Sequence, residues 1–129
     1  MEDVMIRISV LWIFAAVTML AHYALLFFEP DVLQKTGASA DATARLAVGE
    51  AFANWLIPMT MAFLSVTLEG LTNRYLNMVL GGLYILLSIF HLARCPIIHV
   101  SNKPSIHQLL LGVSTVVVTV LIFWYAWSW

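Results

Sequence analysis

Phe90-His91-Leu92-Ala93-Arg94-Cys95-Pro96-Ile97-Ile98-His99-Val100-Ser101-Asn102-Lys103-Pro104-Ser105-Ile106-His107-Gln108 holds three of the chain's four histidines, its only cysteine and two of its four prolines. An apolar run ends at His91, and another begins at His107. Two long apolar runs joined by a short polar, proline-containing stretch read as a helical hairpin crossing a bilayer twice. The number of such hairpins in the chain decides the fold.

Composition supports the same reading. Of the 129 residues, 62% are apolar and 10% charged, against about 25% charged in ordinary globular domains. The mean hydropathy is +0.93. Six basic residues face seven acidic ones, which leaves neither a basic stripe nor an acidic tail, so nucleic acid is excluded as a partner. A single cysteine cannot form an internal disulfide, and its default role is that of a small apolar residue.

Working outward, four apolar runs appear, with expected helices at about 6–28, 42–71, 76–93 and 105–127. The first lacks a basic leader and an A-x-A cleavage pattern, so it is expected to be a retained membrane helix rather than a signal peptide. Glu29-Pro30 stops it. Ser39 or Asp41 is placed to cap the second helix, which carries Pro58 in its middle, where a kink is expected. Glu69 to Arg74 reads as a tight turn, and Cys95-Pro96 ends the third helix. The β-branched run Val116 to Val120 would suit a strand in water. In lipid a lone strand leaves its backbone unsatisfied, so helix is expected. The expected fold is thus all-α, a single domain over 1–129: an integral membrane antiparallel four-helix bundle in the cell membrane. Both termini lie on one face. The other face, side A, carries Lys35, Arg45, Arg94 and Lys103 against Arg7, Arg74 and the amino terminus, and the positive-inside rule makes side A cytoplasmic. The terminal Trp124 to Trp129 segment reads as an aromatic interfacial anchor.

Leu11-Trp12-Ile13-Phe14, Pro58 followed by Met61-Ala62-Phe63-Leu64-Ser65, Asn73-Arg74-Tyr75-Leu76-Asn77, and Trp124-Tyr125-Ala126-Trp127 together resemble a family of small bacterial four-helix membrane proteins, catalogued as a domain of unknown function. The resemblance spans nearly the whole chain. It implies a fold and a membrane location, and no activity. The family pattern buries acidic residues in its first and last helices, where this chain has Thr18, His22 and Ser114.

Helical spacing sorts the polar residues into one stripe per helix: Ala15, Thr18 and His22; Ala47, Glu50, Asn54 and Met61; Gly81, Tyr84, Ser88, His91 and Cys95; Gln108, Gly112, Thr115 and Thr119. The ordinary reading is that small and hydroxyl residues let membrane helices approach one another. The functional reading is sharper. His22, Glu50, Asn54, His91 and His107 all come to a similar depth near side A, and a carboxylate inside a bilayer is costly unless it faces the bundle and is paired. These five are the candidate binding residues, with Glu50 the candidate catalytic acid–base. His22, His91, His107 and Glu50 are the candidate ligands of a metal. The pocket so formed would suit a haem between two imidazoles, a transition metal with N and O ligands, or a lipophilic ligand. No C-x-x-C, H-E-x-x-H or E-x-x-H signature accompanies them. Two alternatives stay open: an accessory subunit of a larger membrane complex or homo-oligomer, and a proton-coupled transporter.

The topology can be checked directly. A membrane-impermeant thiol reagent is expected to spare Cys95 in intact cells and label it in inverted vesicles; strong labelling of intact cells would reverse the orientation.

Overall fold

The computed structural model describes the backbone of residues 2–27, 40–94 and 106–129, and the side chains of 2–25, 49, 52–93 and 106–129. Among the described residues the regular structure is four helices: α1 (Glu2–Phe27), α2 (Ala40–Thr67), α3 (Gly70–Arg94) and α4 (Ile106–Ser128). Glu2 and Asp3 occupy the first turn of α1, where negative charge complements the helix dipole. The β-branched run from Val116 to Val120 lies inside α4. The expected connection and cap around Ser39 and Asp41, and the loop carrying Cys95, His99 and Lys103, fall outside the residues or side chains described.

The α2–α3 junction departs from expectation. α2 stops at Thr67 rather than Leu71, and α3 begins at Gly70 rather than Leu76, so the connection is only Leu68 and Glu69. The Leu68 amide still bonds back to the Leu64 carbonyl at 2.9 Å, and Gly70 then turns the chain at φ +66°, a conformation that glycine adopts without Cβ strain. The polar string after it is not a loop, because Asn73 spends its amide on the end of the previous helix. Its Nδ2 donates to the carbonyls of Ser65 at 2.8 Å and Leu68 at 2.7 Å. Polar residues that satisfy a neighbouring helix end are free to be helical themselves.

α1 packs against α2 and α4, and α3 packs against α4, whereas α2 and α3 share far less contact. α1 and α3 therefore stand across the middle of the bundle and meet through long side chains. Trp12, fully buried, reaches from α1 to α3: its indole lies edge-on to Tyr84, with ring centroids 5.3 Å apart, and its N–H donates to Asn77 Oδ1 at 2.7 Å. Around it gather Ile8, Ala15, Met61, Ala62, Val118, Ile122 and Ala126. The Ser9 hydroxyl bonds the Ala62 carbonyl at 2.8 Å and ties α1 to α2. Arg74 donates to the Trp127 carbonyl at 2.9 Å, bringing a cation to the C-terminal end of α4.

Small residues sit where helices come closest. A Cβ on Gly81 would lie 3.2 Å from Ile122 and 3.3 Å from the Phe123 backbone nitrogen, and one on Gly112 would lie 2.7 Å from the tip of Leu92. Large aliphatics point the other way: Val79, Leu86, Leu110 and Val117 are all exposed. The outside is largely apolar, and the inside mixes large apolar side chains such as Trp12, Ile8, Met61 and Ile122 with buried Ser, Thr, Asn and Gln. Three helices, Glu2–Leu25, Gly70–Ala93 and Ile106–Ser128, are long and apolar enough to cross a membrane. The sequence leads to an expectation of four such spans; among the described residues the structure has three. α2 continues through Pro58, and its apolar stretch among the described residues is Phe52–Thr67.

Replacing Gly81 with Leu is expected to destabilise the protein in detergent by about 1–3 kcal/mol, since backbone stands behind the contact. Replacing the exposed Leu110 with Phe is expected to change stability by less than about 0.5 kcal/mol. Thermal unfolding of the two variants compares them, and equal tolerance would contradict the helix rotations described.

Candidate functional site

Two clusters of buried polar side chains lie near opposite ends of the bundle. The first is at the α2–α3 junction, where Ser65, Asn73 and Asn77 are fully buried. Asn77 Oδ1 accepts from both the Trp12 indole and the Ser65 hydroxyl, the latter at 3.0 Å, while its amide donates to the Asn73 carbonyl at 3.0 Å and to Asn73 Oδ1 at 2.6 Å. The Ser65 hydroxyl also lies 2.7 Å from the Met61 carbonyl. With its polar atoms so engaged, this cluster offers little to a ligand. It holds three helices together. Sequence reading placed Asn73 in a turn and did not single out Asn77; the four-residue spacing of Asn73 and Asn77 was the available signal.

The second cluster lies near the side-A end. α1 presents Trp12, Ala15, Thr18, Met19 and His22 on its buried side, and α3 presents Tyr84, Ser88 and His91. His22 is buried and His91 half-buried, and their Nε2 atoms are 3.0 Å apart, with the rings crossed at 76°. Tyr23 stands edge-on to both, at 5.7 Å from His22 and 6.1 Å from His91, and its hydroxyl accepts a hydrogen bond from Asn54 of α2 at 3.2 Å. α4 contributes Gln108, 1% exposed. Its amide lies against His22, yet neither Nε2 nor Oε1 reaches hydrogen-bond geometry with a described residue. Toward the middle of the bundle, Thr115 bonds Thr18 at 3.3 Å and approaches the Met19 sulfur at 3.8 Å.

Of the five candidate residues, His22 and His91 touch, and Asn54 joins them through Tyr23. His107 is exposed, and its neighbour Gln108 takes the inward position. Glu50 lies in α2 one turn before Asn54, with its side chain outside the description. Gln108 stood on the expected polar stripe of α4 without being chosen; its spacing of seven from Thr115 was the signal. Tyr23, directly after His22, carried no signal of its own.

The separation of the imidazoles limits what they can do together. Metal–imidazole bonds of about 2.0–2.1 Å place trans ligands about 4 Å apart and cis ligands about 3 Å apart. A haem sandwiched between His22 and His91 therefore does not fit the 3.0 Å contact, whereas a cis pair on a transition metal does. No group of three or more His, Cys, Asp and Glu able to hold a metal occurs among the described residues. Without a metal, two neutral imidazoles in this contact need opposite tautomers, one Nε2 carrying its proton and the other accepting it. The pair can thus bind a further proton or exchange one with a ligand. No family model, curated protein or solved structure matches the chain.

Complementary tautomers are measurable. In protein labelled with 15N-histidine at neutral pH, one member of the pair is expected to report Nε2–H and the other Nδ1–H. Identical tautomers in both would remove the hydrogen bond.

Proposed function

We propose that this chain is a multi-pass integral protein of the cell membrane, an antiparallel four-helix bundle that binds a ligand through His22, His91 and Gln108 at one end. The observation that carries this reading is the pair of imidazoles that meet Nε2 to Nε2, with the fully buried Gln108 amide lying against His22 short of full hydrogen-bond geometry. An unbonded buried amide costs about 1–3 kcal/mol. A bound molecule or ion that meets it would offset that cost, and polar groups retained inside a bilayer mark functional sites by default. Glu50, one turn along α2 from Asn54, is the residue to examine for acid–base chemistry in such a site. The apolar exterior supports the bilayer as surroundings.

A proton-coupled carrier is the second reading. It is favoured by the buried Thr18, Thr115 and Thr119 between the two polar clusters, which give the interior more polarity than the His end alone. An accessory subunit would combine dry, leucine-rich packing with an exposed apolar face for a partner; the exposed aliphatics would suit such a face as well as they suit lipid.

Purified protein is expected to yield a bound small molecule or metal near one per chain when examined by absorption, metal analysis and mass spectrometry of extracts. His22→Ala and His91→Ala are expected to lose it, and Tyr84→Phe to keep it. A ligand-free wild type that takes up none of the classes offered would set this reading aside.

A further inference from the structure

The end of the bundle away from side A holds a cation with no anion beside it among the described residues. Arg74 is half-buried on α3; its Nη2 donates to the Trp127 carbonyl at the end of α4 at 2.9 Å, and its Nε is enclosed without an acceptor. Nη1 bonds to no described residue and, unlike Nε, is not enclosed, so it remains open to an outside acceptor. The acidic side chains described, Glu2, Asp3 and Glu69, are all exposed, and none pairs with the guanidinium.

Helix direction sets what lies around it. Side chains of an α-helix tilt toward its N-terminus, so Arg74, close to the start of α3, reaches back toward the membrane surface. α4 runs the other way, and the same tilt carries Trp127 and Phe123 toward the middle of the bilayer. Their rings stack at 6.1 Å with 23° between planes, and the Phe123 ring lies against Gly82 of α3, where an added Cβ would stand 3.6 Å from it. Arg74 and Gly82 are separated along α3 by roughly 12 Å, at about 1.5 Å per residue. A cation therefore stands at the outer end of an apolar strip that follows the α3–α4 boundary. Trp127, 59% exposed, leaves that strip open to the surroundings, and the exposed Tyr75 and Trp124 add aromatic side chains of the kind that sit at a membrane interface.

The complement of this arrangement is an anion with an apolar chain behind it. A phosphodiester offers oxygens that a guanidinium meets in paired N–H···O bonds. Free phosphate would satisfy Arg74 and leave the stacked rings unused, whereas an uncharged diacylglycerol would use the rings and leave Arg74 without an anion. We propose that Arg74 and the Phe123–Trp127 pair bind one glycerophospholipid in the leaflet away from side A, its phosphate on the guanidinium and an acyl chain along the rings. This site goes beyond the ligand-binding reading of His22 and His91 and does not depend on it.

The test offers three probes to the delipidated full chain in detergent, read by native mass spectrometry: palmitoyl-oleoyl phosphatidylglycerol, the diacylglycerol with the same chains, and inorganic phosphate. The phospholipid is expected to saturate near one per chain and to bind at least about tenfold more tightly than the diacylglycerol, the discrimination of a hydrogen bond to a charged group. That comparison uses the wild-type protein, so it does not depend on any variant folding. Arg74→Gln is expected to bring the two lipids within about twofold of each other. Trp127→Ala, which keeps the carbonyl that holds Arg74, is expected to weaken both lipids and preserve their ratio. His22→Ala and Leu110→Phe, toward side A, are expected to leave the selectivity intact. Equal binding of the two lipids, uptake without a plateau near one per chain (annular lipid only), or a selectivity that survives Arg74→Gln would overturn the proposal. Displacement of the phospholipid by an equal concentration of inorganic phosphate would overturn it in favour of a free anion. Loss of the selectivity in His22→Ala would place the bound lipid at side A, overturning this site while leaving the ligand-binding reading in place.

Discussion

The interaction on which the rest of the structure depends is the hydrogen bond from the Trp12 indole to Asn77. Neither group has access to water, and in an apolar environment an unbonded indole N–H or amide oxygen is costly enough to decide how helices rotate. Trp12 can reach Asn77 only if α1 turns that face toward α3, and this same rotation brings Ala15, Thr18 and His22 inside. Asn77 in turn leans on Asn73 and Ser65, which commits α2 to ending at Thr67 and α3 to beginning at Gly70. One buried polar contact thereby sets the orientation of three helices, and apolar packing fills what remains.

The two polar clusters use the same chemistry to opposite effect. At the α2–α3 junction, donors and acceptors answer one another within the protein, and the result is rigidity. Near side A the answers are incomplete. His22 and His91 meet, Asn54 finds Tyr23, and Gln108 is left with an amide that no described residue meets. In a buried, apolar setting such incompleteness is costly, and it distinguishes this end of the bundle from the other.

Much of this was legible in the chain. Runs of apolar residues identified the four helices because a helix is the only single-segment structure that satisfies its own backbone away from water. Spacings of three, four and seven identified the inward stripes, and Ala15, Gly81, Gly112 and Thr115 do lie at helix contacts, with Val79, Leu110 and Val117 outside. The same spacing placed His22 and His91 at one level, because parallel helices keep their residues in step. What was not legible is instructive. Asn73 and its neighbours look like a loop by composition, and only tertiary contact reveals that Asn73 caps another helix. His107 and Gln108 are adjacent, and a rotation of about 100° per residue, which composition cannot resolve, decides which of them turns inward.

The two side-chain bridges between α1 and α3, Trp12 to Asn77 and His22 to His91, also constrain how this protein can vary. One extra residue between Trp12 and His22 would swing one bridge about 100° out of phase with the other. A deletion would do the same in the opposite sense. The central stretch is therefore closed to length changes in either helix alone: even seven residues, nearly two whole turns, would restore the rotation but shift a bridge about 10 Å along the axis. Changes in helix length are accommodated beyond the bridges, at the helix ends. The middle behaves as a gauge of fixed length, and the ends as the adjustable part.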